Sequence, residues 1–246
     1  MRQDQGILFE NHGTLRGGPL SAMEDLLFVR TDVLPAFLKG LKVSLLLIAP
    51  SAFFGLCIGI LVGACRVYGS RLVILLSDLY VALFRGVPLV VQLFVWYFGL
   101  PHLKIYLSPF VASVLGFSLC SGAYHSEYIR GALLSIRKGQ MLAAQALGFS
   151  KLRMVLSVIL PQALRRALPG CGNEIIYLIK YSSLAYMVTC IELTGEAKIL
   201  ASHSFKYTIV FLSVGIVYLF LVSLASWLLH HIEDKVSLPG FEQHRT

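Results

Sequence analysis

The sequence predicts an all-α membrane protein with about five transmembrane helices and one short cytoplasmic helix. Three observations predict it. Only 14% of the 246 residues are charged and 57% are hydrophobic, where a soluble domain carries roughly 25% charged residues. Five apolar runs of roughly 20 residues or more are each long enough to cross a bilayer core. Basic residues crowd the segments on one side of those runs, which is the signature of cytoplasmic loops. The formal net charge of +8 therefore reports topology and an anionic membrane surface, and no nucleic-acid partner is expected.

Residues 1–34 read as a polar N-terminal extension. They hold Arg2, Asp4, Glu10, Arg16, Glu24, Asp25, Arg30 and Asp32 with several glycines, a mixture that predicts a flexible or surface-lying segment. No cleavable leader pattern is expected there. The membrane domain follows over residues 35–235, with a cytoplasmic tail at 236–246.

The first run is Leu41 to Ala64. Pro50 inside it is tolerable in a membrane helix. Gly55, Gly59 and Gly63 recur every fourth residue and predict one smooth face for close helix packing. The second run, Leu72 to Pro101, begins amphipathic with Asp78 and Arg85 and breaks at Gly86 and Pro88. We count it as one crossing whose first half lies at the interface. Asp78 reads as an interfacial partner of Arg71 or Arg85. Trp96, Tyr97 and Phe98 predict a membrane boundary.

The third run, Pro109 to about Leu134, carries Tyr124, His125 and Glu127. Glu127 precedes Arg130 by three residues, which suits an intrahelical ion pair; lining a cavity is the alternative. The fourth run, about Leu168 to Ile191, holds Glu174 and Lys180, and the fifth is Tyr207 to Leu229, closed by His230 and His231 as interfacial anchors. Lys180 must find a partner or snorkel. The five cysteines form no CxxC pair and read as small apolar residues. No cofactor and no metal site are expected.

Between runs three and four the chain turns soluble-looking. From Tyr128 to Asn173 there is no acidic residue, but there are Arg130, Arg137, Lys138, Lys151, Arg153, Arg165 and Arg166. Positive-inside places this stretch in the cytoplasm, the N-terminus outside and the C-terminus inside. Within it Met141 to Leu147 is a strong helix former, and Gly148 is a natural stop. A helix this short is marginal alone in water. It is either a simple connecting turn or a docking element held by a partner.

The stretch "KGQMLAAQALGFSKLRMVLSVILPQALRR" resembles the cytoplasmic loop of ABC-transporter permease subunits. That loop reads Glu-Ala-Ala, three residues, Gly, nine residues, then Ile-x-Leu-Pro. Ala143, Ala144, Gly148, Leu160 and Pro161 match it, while Leu142 stands where the family has Glu and Val158 where it has Ile. "LYVALFRGVPLVVQ", "AYHSEYIRGALLSI" and "LPQALRRALPGCGNEIIYLIKYSSLAYMV" resemble three further segments of the polar amino-acid branch, in the family's order. Tyr181 stands where the family often has Asp.

The resemblance implies a permease subunit for ATP-driven import of an amino acid, located in a bacterial inner membrane. Its implied partners are cytoplasmic ATPase subunits, a second permease subunit, identical or not, and an external amino-acid-binding protein. The short helix becomes a coupling helix, whose implied ATPase contacts are Leu142, Ala143, Ala144, Leu147 and Gly148. The chain has no Gly-x-x-x-x-Gly-Lys-Ser/Thr phosphate loop, so energy must arrive from a partner. The alternative is a self-sufficient secondary carrier, although no inverted internal copy is visible. A membrane-embedded enzyme would need a polar cluster at one depth. His125 and Glu127, two residues apart, point to different faces and do not supply it.

Glu174 is the leading substrate residue. A carboxylate at this depth costs about 3 kcal/mol on insertion scales, so it should face the bundle interior or a wet cavity. A pair with Lys180 is the structural alternative, but six residues is a poor helical separation. The Asn-Glu pair also occurs at this point in the resembling permeases for histidine, lysine and arginine. The resemblance thus implies Glu174, with Asn173, Ser183 and Glu127, as the contacts of a polar, basic amino acid; glutamine or another polar amino acid is the alternative.

Overall fold

A computed structural model describes residues 19–236. Among them there are only helices and connecting turns: α1 (Pro19–Phe28), α2 (Leu34–Tyr68), α3 (Arg71–Gly86), α4 (Leu89–Phe94), α5 (Pro109–Leu134), α6 (Lys138–Ala146), α7 (Lys151–Met154), α8 (Leu160–Tyr181), α9 (Leu193–Ser204) and α10 (Tyr207–Val236). Residues 1–18 of the expected N-terminal extension, and all but the first residue of the expected tail, lie outside the described residues.

The rest of that extension differs from expectation. Residues 19–33 are helical and run into α2 through a π-helical turn at Val29–Val33. Val33 and Phe37 are buried, in one cluster with Leu193, Ala197, Ala201, Val210 and Val214. Lys206 pairs with Asp25 at 2.8 Å and lies over the Phe28 ring at 4.8 Å. The segment is helical because α9 and α10 give its apolar face something to cover.

Two helices are long and apolar enough to cross a membrane by themselves, Met23–Tyr68 and Tyr207–Val236. Two bent pairs reach the same standard together. One is α3 with residues 89–103, bent by 103°; the other is Lys151–Val188 with α9, bent by 54°. The first bend falls at Gly86 and Pro88, as their chemistry predicts. At 26 residues, α5 is about 39 Å long at 1.5 Å per residue. Its buried Ser113, Ser118, Ser121 and Ser126 lower its hydropathy, because it packs on protein along much of its length.

The α2–α5 contact is the spine of the bundle. A Cβ on Gly55 would meet Ser121 Oγ at 3.0 Å, one on Gly59 would strike His125, and one on Gly63 would meet Ile129 Cγ2 at 3.0 Å. The partners are also four residues apart, so two matching helical ridges run in register. The expected smooth face is this seam.

Candidate functional site

The break between α3 and α4 opens a cavity of about 410 Å³. Its wall is Phe84 to Val90, and Cys120, Tyr124, Tyr181 and Leu184 close it from α5 and the end of α8. Pro88 has no N–H to continue α3, and the turn leaves backbone carbonyls without helical partners. Gln92, one turn into α4, captures two of them. Its Nε2 donates to Phe84 O at 2.9 Å and to Val87 O at 2.8 Å. The Cys120 thiol donates a longer bond, 3.6 Å, to Phe84 O. A Cβ on Gly86 would meet nothing within 4 Å, so the wall is thin there.

Arg85 is the cationic residue of this wall. Its guanidinium lies 5.1 Å from the Tyr124 ring centroid and 3.0 Å from the Glu127 carboxylate. Glu127 also takes Arg66 at 3.0 Å and Arg130 at 3.2 Å, and Arg66 takes Asp78 at 2.6 Å. Two carboxylates and three guanidiniums from α2, α3 and α5 thus form one charge cluster beside the cavity. The expected Glu127–Arg130 pair is present, joined by two partners far away in sequence. Asp78 pairs with Arg66; neither of its expected partners, Arg71 and Arg85, holds it.

The other expected substrate residues are dispersed. Glu174 is 3% exposed and lies near the Ser121 hydroxyl of α5. Ser121 Oγ in turn lies 3.0 Å from His125 Nδ1. Asn173, next along the helix, is exposed. The Ser183 hydroxyl donates to Lys180 O at 2.7 Å. Lys180 does not pair with Glu174; its Nζ sits 4.2 Å from the Tyr177 ring centroid, and Tyr177 stacks on Tyr181. Among the described residues, Glu174, Asn173, Ser183 and Glu127 share no hydrogen bond with one another.

Sequence reasoning does not single out Glu192. It is fully buried and caps α9. Its carboxylate accepts from Thr194 N at 2.9 Å, Gly195 N at 3.0 Å and Tyr218 OH at 3.1 Å. Ser44 of α2 donates to it at 3.4 Å and accepts from Leu193 N at 3.2 Å. The usable signal is an acidic residue just before a helix start, where free N–H groups and the helix dipole favour a negative charge. From the sequence, Arg85 stands out only as a candidate partner of Asp78.

The short helix α6 ends at Gly148, where the sequence places its stop. Gly148 has φ +78°, Phe149 N donates to Ala144 O, and Gly148 N donates to Gln145 O, which is the closed C-terminus that glycine favours. Leu142 and Leu147 are exposed at 64% and 77%, and Ala143 and Gly148 are exposed with them. Ala144, expected among the outward contacts, turns the other way. It is 4% exposed and packs with Met154, Ile159 and Ile136 in the protein's own core. Arg137, Lys151 and Arg153 are exposed around it.

The sequence and the fold are similar to those of known proteins. The family described as binding-protein-dependent transport system inner membrane component matches residues 55–238. A Bacillus subtilis permease protein, YckA, named for amino-acid ABC transport, is 38% identical over 201 residues, covering 82% of this chain and 89% of its own. A Rickettsia bellii permease protein, GlnP, named for a glutamine transport system, is 37% identical over 199 residues, 80% of this chain and 91% of its own. Among solved structures, the amino acid ABC transporter crystallised with histidines superposes with a TM-score of 0.76 at 28% identity, covering 88% of this chain and 97% of that one. The methionine transporter MetNI shares the fold, with a TM-score of 0.71 at 21% identity, covering 82% of this chain and 97% of that one. A helical bundle with a broken second apolar run and a short glycine-stopped helix, matched over this much of its length, belongs to the family of binding-protein-dependent transport system inner membrane components.

Proposed function

We propose that this chain is the permease subunit of an ATP-driven importer of a polar amino acid. The observation that carries the proposal is 38% identity over 82% of the chain to a permease named for amino-acid ABC transport. The chain crosses a bacterial inner membrane five times, through α2, the α3–α4 pair, α5, α8 and α10. Its N-terminus is outside and its C-terminus cytoplasmic. A second permease subunit completes the path, an external binding protein delivers the substrate, and cytoplasmic ATPase subunits grip α6. The exposed leucines of α6 and the basic residues around it support that last contact.

Within this reading the substrate is basic, and Glu174 provides the negative charge that selects it. Its burial beside Ser121, without Lys180 as a partner, supports a carboxylate kept available. The test is uptake in proteoliposomes holding the permease co-purified with its ATPase and supplied with its binding protein. ATP-dependent uptake of arginine, lysine or histidine is expected, and Glu174→Gln should abolish it with assembly intact. Unchanged uptake of every amino acid in Glu174→Gln removes Glu174 from selection. Uptake driven by a proton or sodium gradient without any ATPase moves the chain to the secondary carriers.

A further inference from the structure

We propose that Arg85 receives the α-carboxylate of the transported amino acid, and that Glu127 is the counter-ion it releases when substrate enters the cavity. The inference rests on the reading of this chain as an amino-acid permease.

Every free α-amino acid carries a carboxylate, whatever its side chain. A planar guanidinium is the protein group best shaped to hold one, through two parallel hydrogen bonds. Three arginines surround Glu127, and Arg85 is the one that lines the 410 Å³ cavity. That volume is in the range of small-molecule sites. The Arg85 side chain is 40% exposed, against 11% for Arg66. The Tyr124 ring, 5.1 Å away, supports the guanidinium from one side and lines the same cavity. The remaining wall near it is apolar or glycine: Gly86, Val87, Pro88 and Leu89. A charged substrate group entering there finds one cation to meet.

The cluster makes the exchange inexpensive in charge. When Arg85 turns to a substrate carboxylate, Glu127 keeps Arg66 at 3.0 Å and Arg130 at 3.2 Å. No half-buried carboxylate is left bare, which would otherwise cost several kcal/mol. The substrate thus replaces one carboxylate by another on the same guanidinium. The exchange also loosens a tie between α3, which carries Arg85, and α5, which carries Glu127. Occupancy of the cavity is thereby linked to the relative freedom of two helices.

The test is equilibrium binding of radiolabelled L-arginine and L-glutamine to the detergent-purified permease–ATPase complex. The corresponding α-amides, which lack the carboxylate, serve as competitors. The expected result is binding of at least one amino acid, with its α-amide competing at least tenfold more weakly. Arg85→Gln should weaken binding at least tenfold, and Arg85→Lys should restore part of it. Glu127→Gln should act in the opposite direction and tighten binding several-fold, because the competing carboxylate is gone. A purely structural Arg85–Glu127 tie predicts parallel losses in Arg85→Gln and Glu127→Gln, and that result overturns the proposal. Equal competition by the amide, which needs no variant to fold, overturns it as well. If the wild-type complex neither binds nor imports any amino acid, the parent reading fails, and that outcome is distinct from loss of carboxylate discrimination alone.

Discussion

Gly59 of α2 and His125 of α5 occupy the same point of the bundle: a Cβ on the glycine would overlap the Cβ of the histidine. His125 is fully buried, and its Nδ1 is held 2.8 Å from Ser121 O, so the ring cannot swing aside. Gly59→Leu should therefore force the helices apart and destabilise the subunit by about 1–3 kcal/mol, the usual cost of overpacking. Gly215→Leu on α10, where an added Cβ meets nothing within 4 Å, should be neutral. Thermal unfolding of both variants in detergent checks the contrast; equal melting temperatures would remove the seam as a constraint.

The cavity wall depends on Gln92. With Gln92→Ala, the carbonyls of Phe84 and Val87 lose their part-buried 2.9 and 2.8 Å donors. Each unsatisfied group costs about 1–3 kcal/mol. Gln92→Glu should be no better, since an ionised carboxylate has no proton to give. Both variants are expected to assemble at lower yield and to import at a reduced rate. Normal uptake in Gln92→Ala would show that the bend holds without this staple.

Glu192 should matter for stability. Glu192→Ala removes the acceptor of four donors from α2, α9 and α10, at a helix start where a negative charge is favoured. A loss of at least about 2 kcal/mol is expected. Tyr218→Phe, which deletes one of the four donors, should cost about 1 kcal/mol. Chemical or thermal unfolding of the purified subunit measures both, and a Glu192→Ala protein as stable as wild type would dismiss the cap.

On α6, two neighbouring positions should separate two kinds of failure. Leu147→Asp changes an exposed side chain and is expected to weaken ATPase co-purification while the membrane subunit melts normally. Ala144→Leu pushes into the core that holds Met154 and Ile159 and is expected to lower the subunit's own melting temperature by overpacking. If Ala144→Leu leaves stability unchanged and abolishes docking, Ala144 faces the partner after all.

Much of this was legible because its causes are local. The four-residue glycine period announces a close seam, Gly86 and Pro88 announce a break, and Gly148 announces a stop. What stayed hidden depends on residues distant in sequence. The helix over residues 19–33 needs α9 and α10 to cover it. The role of Glu192 needs Ser44, which is 148 positions away. The direction of Ala144 is settled by α7 and the turn after it, which fold back beneath α6. The Glu127 cluster is half legible: Arg130 is three residues along, whereas Arg66 and Arg85 arrive on other helices. Glu174 illustrates the same limit, since its depth can be read from hydropathy while its neighbour Ser121 cannot.

The inward turn of Ala144 has a mechanical consequence. A nine-residue helix attached only at its ends would act as a soft hinge, and a load on its outer face would dissipate in bending. With one face packed beside Met154 and Ile159, α6 moves as a single stiff piece with the root of α8. A displacement imposed on Leu142 and Leu147 is then passed to the root of α8, as far as the Pro169 that interrupts the helix ahead of Glu174. Transmission would depend on the stiffness of this joint as much as on the grip of the partner that pulls it.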